Sequence, residues 1–290
     1  MNGKRRRLGD RKDGTLLREL DSMHLIVPMI YPNRCDNEAY ISERIDLTAI
    51  NGWLEEKNRT EPDFPYTLFH VMVTALLRTI TLRPKMNRFI ANKNVYQRNV
   101  VSASFVVKKQ FSDEAAEALA FIYADEEDTA ASIKEKIRKQ IQDCRGETVD
   151  RSTQSMDILN KLPRLLTKFL VRIIRFLDVR GWAPNFLIGS DPYYSSVILS
   201  NLGSIKVKSG YHHLTNWGTN SVFCIIGEKK LSPFFDEEGN VSMKETVELG
   251  LTIDERIADG YYYSRTIRLL KHLLAHPELL EESLKTPVDC

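Results

Sequence analysis

A short acidic segment near the C-terminus has the residue types that can move a proton. In LTIDERIADG, residues 251–260, three carboxylic acids lie close together: Asp254, Glu255 and Asp259, with Arg256 among them. Burial or neighbouring acids can make a carboxylate a general base near neutral pH. Asp254 and Asp259 act in that direction on Glu255, and Arg256 acts against it. The segment therefore predicts an acid–base site with Glu255 as the candidate base.

The same acids also have a purely structural explanation. The segment follows a strand-like run and precedes a long helical pattern, and acids in the first turn of a helix are stabilised by its dipole. Asp254, Glu255 and Asp259 would then only cap and charge that turn. The residues of this segment, taken alone, leave both explanations open.

Composition limits the classes of partner. The 290 residues are 42% hydrophobic, enough for a full core, and 41 Lys and Arg nearly balance 39 Asp and Glu. The near-neutral charge gives no reason to expect nucleic acid as a partner. Four cysteines are scattered without metal-ligand spacing, which predicts no metal site and a reducing compartment, the cytoplasm. No signal peptide or membrane-spanning run is recognisable.

The elements around the acidic segment predict an α+β fold with a mixed sheet flanked by helices. Residues 1–20 are basic and lack apolar periodicity, so we expect a solvated arm followed by a single domain over 21–290. Residues 24–47 have the pattern of extended segments. Strands and helices then alternate, including a buried helix in PYTLFHVMVTALLRTITLRP, a strand in SSVILSNLGS, a strand in VSMKETVELGLTID and two helices at the end of the chain.

A helical insert over about 145–190 contains a strongly amphipathic stretch. At about 100° per residue, five basic side chains fall within about 80° of one another and the remaining circumference is almost wholly apolar. They are Lys161, Arg164, Lys168, Arg172 and Arg175. The commoner explanation is a helix buried in the core or in a subunit contact with its basic edge in water. The alternative is peripheral contact of helix 161–178 with an anionic membrane surface.

Several segments, in order, resemble one family. DERIADG, residues 254–260, resembles the H-x-x-x-D-G signature of the chloramphenicol acetyltransferase and dihydrolipoamide acyltransferase superfamily, which in the latter commonly reads D-H-R-x-x-D-G. SVILSNLG resembles its F-T-I-S-N-L-G strand, and NWGTNSVFCIIGE resembles its N-P-P-x-x-x-I-L-x-x-G segment. PYTLFHVMVTALLRTITLRPKMNRFI is similar to the helix before its P-x-x-N stretch. The resemblance covers most of residues 25–285.

The resemblance implies a chloramphenicol acetyltransferase-like fold and a homotrimer that uses coenzyme A or acyl-CoA as cosubstrate, in channels between subunits. It places Glu255 at the position of the family's histidine base and Ser200 at that of the serine that hydrogen-bonds the oxyanion. Asp259 takes the position of the aspartate that anchors the site through an ion pair, for which Arg34 is the expected partner. Supporting positions are Asn201, Asn216 and Gly260.

The glutamate at the base position opens alternatives. A free carboxylate is a weaker base than imidazole at neutral pH, so His212 or His213 from a neighbouring subunit is a second candidate. Ser200 could also be an ordinary strand residue before a turn at Gly203. The rival to catalysis is a non-catalytic homotrimeric scaffold or acyl-CoA sensor.

The sequence also predicts a stand-alone protein. No lysine lies in a lipoyl-type hairpin, and the chain begins almost at the catalytic domain, so we expect no role as the core of a dehydrogenase complex unless another chain supplies the swinging arm. The resemblance leaves open the small-molecule acceptor and the acyl chain length.

Overall fold

The computed structural model describes six stretches of the chain, residues 7–60, 63–108, 117–145, 161–184, 191–235 and 238–289. Strands and helices are interspersed in the order that the sequence predicts for an α+β protein. The mixed sheet flanked by helices is therefore confirmed.

Two sheets contain the strands of the described residues. The strands are β1 (Gly14–Leu16), β2 (Glu38–Asp46), β3 (Arg88–Ala91), β4 (Asn94–Arg98), β5 (Val101–Lys108), β6 (Glu117–Ala124), β7 (Val197–Asn201), β8 (Val222–Ile226), β9 (Lys230–Phe235) and β10 (Val241–Asp254). The larger sheet has the order β2-β10-β8-β7-β5-β6, with β9 paired to β10, and the smaller sheet has the order β1-β4-β3. Strand β7 is parallel to β5 and β8, and the other pairs are antiparallel.

Helices cover one face of the larger sheet. The α-helices of the described residues are α1 (Ser22–Ile30), α2 (Thr48–Thr60), α3 (Leu68–Leu82), α4 (Ala130–Arg145), α5 (Arg164–Val179) and α6 (Gly260–Ala275). Helix α3 packs against α4, α6 and β5, while α4 contacts β6 and α6 contacts β2. Their apolar faces and the sheet form one core. The second C-terminal helix that the sequence predicts is a short 3₁₀ turn, Pro277–Glu281.

The two faces of the sheet differ, and this difference positions Ser200. Side chains alternate between faces along a strand, so Val197 and Leu199 of β7 lie in the main core while Ile198 packs on the opposite face with Leu214. Ser200 shares the face of Ile198. That face is covered in part by the segment after β7, which contains Leu214.

The prediction of extended structure over residues 24–47 is wrong for its first part, which is helix α1. The side chain of Asp21 caps this helix by accepting hydrogen bonds from the backbone N–H groups of Met23 and His24, at 3.0 and 3.1 Å. Pro28 lies inside the helix and cannot donate a backbone hydrogen bond, which makes the segment look non-helical in sequence. The Asp21 cap stabilises the first turn, and Pro28 is the buried residue of the helix.

The N-terminal segment is more ordered than a solvated arm, so that prediction is wrong for residues 11–16. Strand β1 pairs with β4, and Arg11 is buried against Asp13 and Asp178. The division of the chain at residue 20 stays a prediction.

Within the insert, the predicted helix is α5, while residues 146–160 and 185–190 lie outside the described residues. No helix among the described residues is long and apolar enough to cross a membrane.

A close backbone crossing holds the segment before Leu214 on the sheet. Gly250 lies in β10 opposite Ile225 of β8, and a Cβ atom at residue 250 would overlap the carbonyl oxygen of Gly210. Only a residue without a side chain lets the two backbones approach so closely. Gly52, in helix α2, has no atom within 4 Å of the corresponding Cβ position.

We expect Gly250→Ala to lower the free energy of unfolding by about 1–3 kcal/mol, because the crossing segment must move. The matched substitution Gly52→Ala should raise it by roughly 0.5–1 kcal/mol, because alanine favours an exposed helix position. Urea unfolding of the two variants and the wild type measures both changes. A neutral effect of Gly250→Ala would contradict the close crossing.

Candidate active site

Strand β10 ends at the acidic segment and fixes its position at one end of the sheet. It runs between β2 and β8 and ends at Asp254, whose backbone N–H donates to the carbonyl oxygen of Ser221 at 2.9 Å. The next residue, Glu255, donates its backbone N–H to the carbonyl oxygen of Asn37 at 2.9 Å. The backbone of residues 254 and 255 is therefore held from both sides.

The carboxylate of Asp254 is fully buried and is compensated by two arginines. Nε and Nη2 of Arg256 each donate to it at 2.7 Å, a bidentate pair, and Nε of Arg34 lies 3.7 Å from its Oδ2. The hydroxyl of Tyr263 donates to the backbone carbonyl of Asp254 at 3.1 Å. A buried charge is tolerated only when paired and hydrogen-bonded, and Asp254 meets both conditions.

Arg34 connects this carboxylate to two other parts of the chain. Its Nη1 donates to the carbonyl oxygen of Thr215 at 2.6 Å, and its Nη2 donates to those of Ile90 and Gly218 at 3.2 and 3.1 Å. Burial lowers the pKa of Arg34 from its usual value, and the charge of Asp254 opposes this shift. The guanidinium fork, with its several donors, is needed to satisfy these acceptors.

The expected ion pair between Arg34 and Asp259 is wrong, because Arg34 pairs with Asp254. Asp259 is exposed, and its carboxylate caps α6 by accepting a hydrogen bond from the backbone N–H of Tyr262 at 2.8 Å. That hydrogen bond lowers the pKa of Asp259, and Lys85, 3.8 Å away, acts in the same direction. The capping explanation of the acidic segment thus holds for Asp259, while Asp254 is the buried anchor.

Glu255 is the acid of the segment whose side chain faces outward. It starts a 3₁₀ turn, Glu255–Ile257, in which Arg256 and Ile257 are buried. The burial that a carboxylate base at neutral pH requires is absent in the single chain. The neighbouring acid, Asp254, is paired with Arg256 and Arg34.

Ser200 and Glu255 lie at opposite ends of the sheet. Ser200 is in register with Ile225, and Ile225 is in register with Gly250. Glu255 follows Gly250 by five positions, about 17 Å along the strand, and is two strands away from β7 at about 5 Å per strand. One chain therefore cannot bring the Ser200 hydroxyl and the Glu255 carboxylate to the same reacting group.

The supporting positions divide between these two ends. Asn216 joins the Arg34 end, because its Oδ1 accepts a hydrogen bond from the backbone N–H of Arg34 at 2.7 Å. Asn201 lies beside Ser200, where its carbonyl oxygen accepts from the Ser204 hydroxyl at 2.7 Å. Gly260 is exposed as the first residue of α6, in open space.

The His212–His213 pair lies nearer to the Glu255 end of its own chain. The His212 ring stacks on Phe223 at 4.3 Å between centroids and on His213 at 4.6 Å. The next residue, Leu214, donates its backbone N–H to the carboxylate of Glu38, which lies opposite Asp254 in the β2–β10 register. A contribution of either histidine to a neighbouring subunit stays a prediction.

Sequence reasoning missed Asp254 as the anchor and Glu38 as the acceptor that holds the segment after His213. The sequence contains a signal for Asp254, since an acid followed two residues later by arginine at a strand end can form a local bidentate pair. Glu38 has no such signal, because its partner is 176 positions away. Among the described residues, no group of three or more His, Cys, Asp or Glu side chains could hold a metal ion.

We expect a thermodynamic cycle to identify Asp254 as the partner of Arg34. Arg34→Lys and Asp254→Asn each remove part of one buried cluster, so their effects on the free energy of unfolding should deviate from additivity by at least about 0.5 kcal/mol. Arg34→Lys and Asp259→Asn should add to within about 0.5 kcal/mol. Urea denaturation of the single and double variants gives both values, and coupling to Asp259 instead of Asp254 would contradict the observed pairing.

Comparison with known proteins agrees with this architecture. A family model for the catalytic domain of 2-oxoacid dehydrogenases acyltransferase matches residues 190–281, which include Ser200 and the acidic segment. Comparison of the sequence with curated proteins found no match.

Solved structures share the fold at low sequence identity. A probable dihydrolipoamide acetyltransferase from Listeria monocytogenes 4b F2365 is 13% identical, with a TM-score of 0.58 over 90% of this chain and 94% of that one. Dihydrolipoamide acetyltransferase from Azotobacter vinelandii is 13% identical, with a TM-score of 0.58 over 92% and 94%. A chloramphenicol acetyltransferase is 12% identical, with a TM-score of 0.56 over 90% and 99%. Residues 190–281 therefore match the acyltransferase catalytic-domain family, and the chain as a whole has the fold of these acetyltransferases.

Proposed function

We propose that this protein is a stand-alone, homotrimeric acyltransferase that moves an acyl group from acyl-CoA to a small-molecule acceptor. The observation that carries the proposal is the position of Ser200 and Glu255 at opposite ends of one sheet, inside the segment that matches the acyltransferase catalytic domain. In a closed ring of subunits, the Ser200 end of one chain meets the Glu255 end of the next. Each interface then contains one complete site.

The reaction at such an interface requires a base and an oxyanion donor. The Glu255 carboxylate accepts the proton of the acceptor's thiol, hydroxyl or amine, and the acceptor atom attacks the thioester carbonyl carbon. The Ser200 hydroxyl of the adjacent chain donates a hydrogen bond to the oxygen that becomes negative. When the tetrahedral intermediate collapses, the carbon–sulfur bond breaks and the CoA sulfur takes the proton from Glu255.

Two further observations support this assignment. The Azotobacter vinelandii structure comes from an investigation of a serine, a histidine and an asparagine in the catalytic mechanism, and the last two are four positions apart. Glu255 and Asp259 are also four positions apart. The number of residues between Ser200 and this pair is similar to the number between the serine and the histidine of that protein. Glu255 is also exposed, as a group that acts across an interface must be in the single chain.

The subunit interface would also change the surroundings of Glu255. Burial by the adjacent chain would supply the low-dielectric environment that a carboxylate base needs. His213 is exposed and directly precedes Leu214, whose backbone N–H donates to the Glu38 carboxylate. His213 is therefore the second candidate for the proton acceptor.

The cellular setting is part of the proposal. Cys35, Cys144 and Cys224 are free thiols, which supports a reducing compartment such as the cytoplasm.

A non-catalytic homotrimeric scaffold or acyl-CoA sensor is the second candidate function. It is favoured by the acidic residue at the position of the family's histidine base. The two functions share the fold and differ in whether acyl transfer occurs.

Binding of the cosubstrate is the first expected outcome. Coenzyme A or acetyl-CoA at about 100 times its Kd should stabilise the folded protein by about 2.7 kcal/mol, a rise of several degrees in Tm. Differential scanning calorimetry with and without each ligand measures this shift, with adenosine as a control for binding of the nucleoside alone. No shift at millimolar ligand would contradict both the enzyme and the sensor.

Substitution of Glu255 separates the enzyme from the scaffold. We expect Glu255→Gln to abolish CoA release from acetyl-CoA with a panel of thiol, hydroxyl and amine acceptors, and Glu255→His to keep or raise it, because imidazole is the better base near neutral pH. The matched control Glu135→Gln, on the exposed side of α4, should leave the rate unchanged.

Mixed trimers test whether the two residues come from different chains. Ser200→Ala and Glu255→Gln variants should each be inactive, whereas their coexpression should restore up to about a quarter of wild-type activity, since each mixed cyclic trimer has one intact interface. If both the wild type and Glu255→His are inactive while CoA still raises Tm, the protein is the sensor and not the enzyme.

A further inference from the structure

Helix α5 exposes an apolar sector and a basic sector side by side. At about 100° per residue, its exposed apolar side chains occupy an arc of about 100°, directly beside the arc of about 80° that holds the basic side chains. The exposed apolar residues of this arc are Leu165, Leu166, Phe169, Ile173 and Phe176. On the remaining side, Leu170, Ile174 and Leu177 are half-buried, while Val171 is exposed.

The exposure of the apolar sector is large for a surface helix. Leu165 is 82% exposed, Phe169 58% and Phe176 51%, and Trp182, just after the helix, is 62% exposed. Single exposed apolar residues are common on protein surfaces, but a contiguous group with three aromatic rings marks an interaction surface. The predicted burial of this helix in the core is therefore not observed in the single chain.

The charges around the apolar sector are unbalanced. Six basic residues lie between residues 161 and 184, and none of them forms an ion pair with a described residue; they are Lys161, Arg164, Lys168, Arg172, Arg175 and Arg180. The only acid in that stretch is Asp178, which is buried and pairs with Arg11 at 3.1 Å. Among the described residues, no acid compensates the positive charge on the exposed side of the helix.

The Arg11–Asp178 pair fixes which side of α5 faces outward. Burial acts to lower the pKa of Arg11, but its hydrogen bonds and ion pairs with Asp13 and Asp178 outweigh burial and raise it. Arg11 also donates to the backbone carbonyl of Asp178, and its side chain would overlap a Cβ atom at Gly181. The C-terminal end of α5 is thus attached to the N-terminal segment with its apolar and basic sectors turned away.

We propose that the exposed side of α5, together with Trp182, docks on an anionic lipid bilayer surface. We call this the α5 surface, comprising the exposed apolar and basic residues named above. Negatively charged headgroups complement the cations, and the boundary with the acyl chains accepts the aromatic and aliphatic side chains beside them. The proposal does not depend on acyl transfer, and it places the trimer at a membrane without insertion through it.

The dimensions of the helix fit a position in the plane of the interface. Its 16 residues are about 24 Å long, shorter than the roughly 20 residues needed to cross the hydrocarbon region. The Arg180 guanidinium lies 3.6 Å from the centre of the Phe176 ring, a cation–π contact that places a positive charge directly beside an exposed aromatic side chain. Trp182 is a residue type enriched at the level of the headgroups.

Vesicle flotation of the full-length protein tests the proposal. The wild type should float with phosphatidylcholine vesicles that contain phosphatidylserine and should remain in the lower fractions with pure phosphatidylcholine. Arg172→Glu with Arg175→Glu should reduce partitioning at least about tenfold. Phe169→Ser with Phe176→Ser should reduce it on the same vesicles, because insertion of apolar side chains is lost.

The matched control is a variant with the same change of charge at two arginines on another helix, α6. Arg265→Glu with Arg268→Glu has the same spacing on the exposed side of α6 and should float as the wild type does. Circular dichroism should show that all variants are folded, since the altered side chains are exposed.

Equal flotation of wild type and Arg172→Glu/Arg175→Glu, or no flotation of the wild type, would overturn the proposal. A wild type that does not float, together with a loss of oligomer mass in Phe169→Ser/Phe176→Ser, would assign the α5 surface to a contact between subunits.

Discussion

The buried carboxylate of Asp254 is the interaction on which the candidate site depends. Arg256 holds it in a bidentate pair, and Arg34 adds a second positive charge while binding carbonyl oxygens of β3 and of the segment after His213. Breaking a buried ion pair from one side costs about 3–5 kcal/mol, because the remaining charge has no partner. This cluster therefore fixes the end of β10, and through it the place where Glu255 leaves the sheet.

The topology of the sheet then determines what one chain can do by itself. Because β7 is parallel to β8 and β10 is antiparallel to it, Ser200 and Glu255 leave the sheet at opposite ends. A reaction that needs both groups must therefore use two chains. The fold gives each chain a serine end and an acidic end, which the proposed cyclic trimer would join at each interface.

The attachment of α5 follows a different physical rule. The buried pair of Arg11 with Asp178 holds the helix at its C-terminal end, and the backbone of Gly181 leaves room for the arginine side chain. The apolar side chains of the exposed side do not contribute to the main core. The helix thus keeps a surface whose apolar and basic groups are available to a partner, at the cost of exposing apolar area to water.

The sequence by itself determined the strands and helices of the core, the mixed α+β class and the family resemblance, because hydrophobic periodicity and local motifs are encoded within short windows. It did not determine α1, which Asp21 caps and which contains Pro28, or the small strand β1. The partner of Arg34 and the exposed side of α5 were decided only by the tertiary structure. These depend on contacts between residues far apart in the chain, such as Arg34 with Asp254 and Arg11 with Asp178, and periodicity carries no information about which distant charges meet.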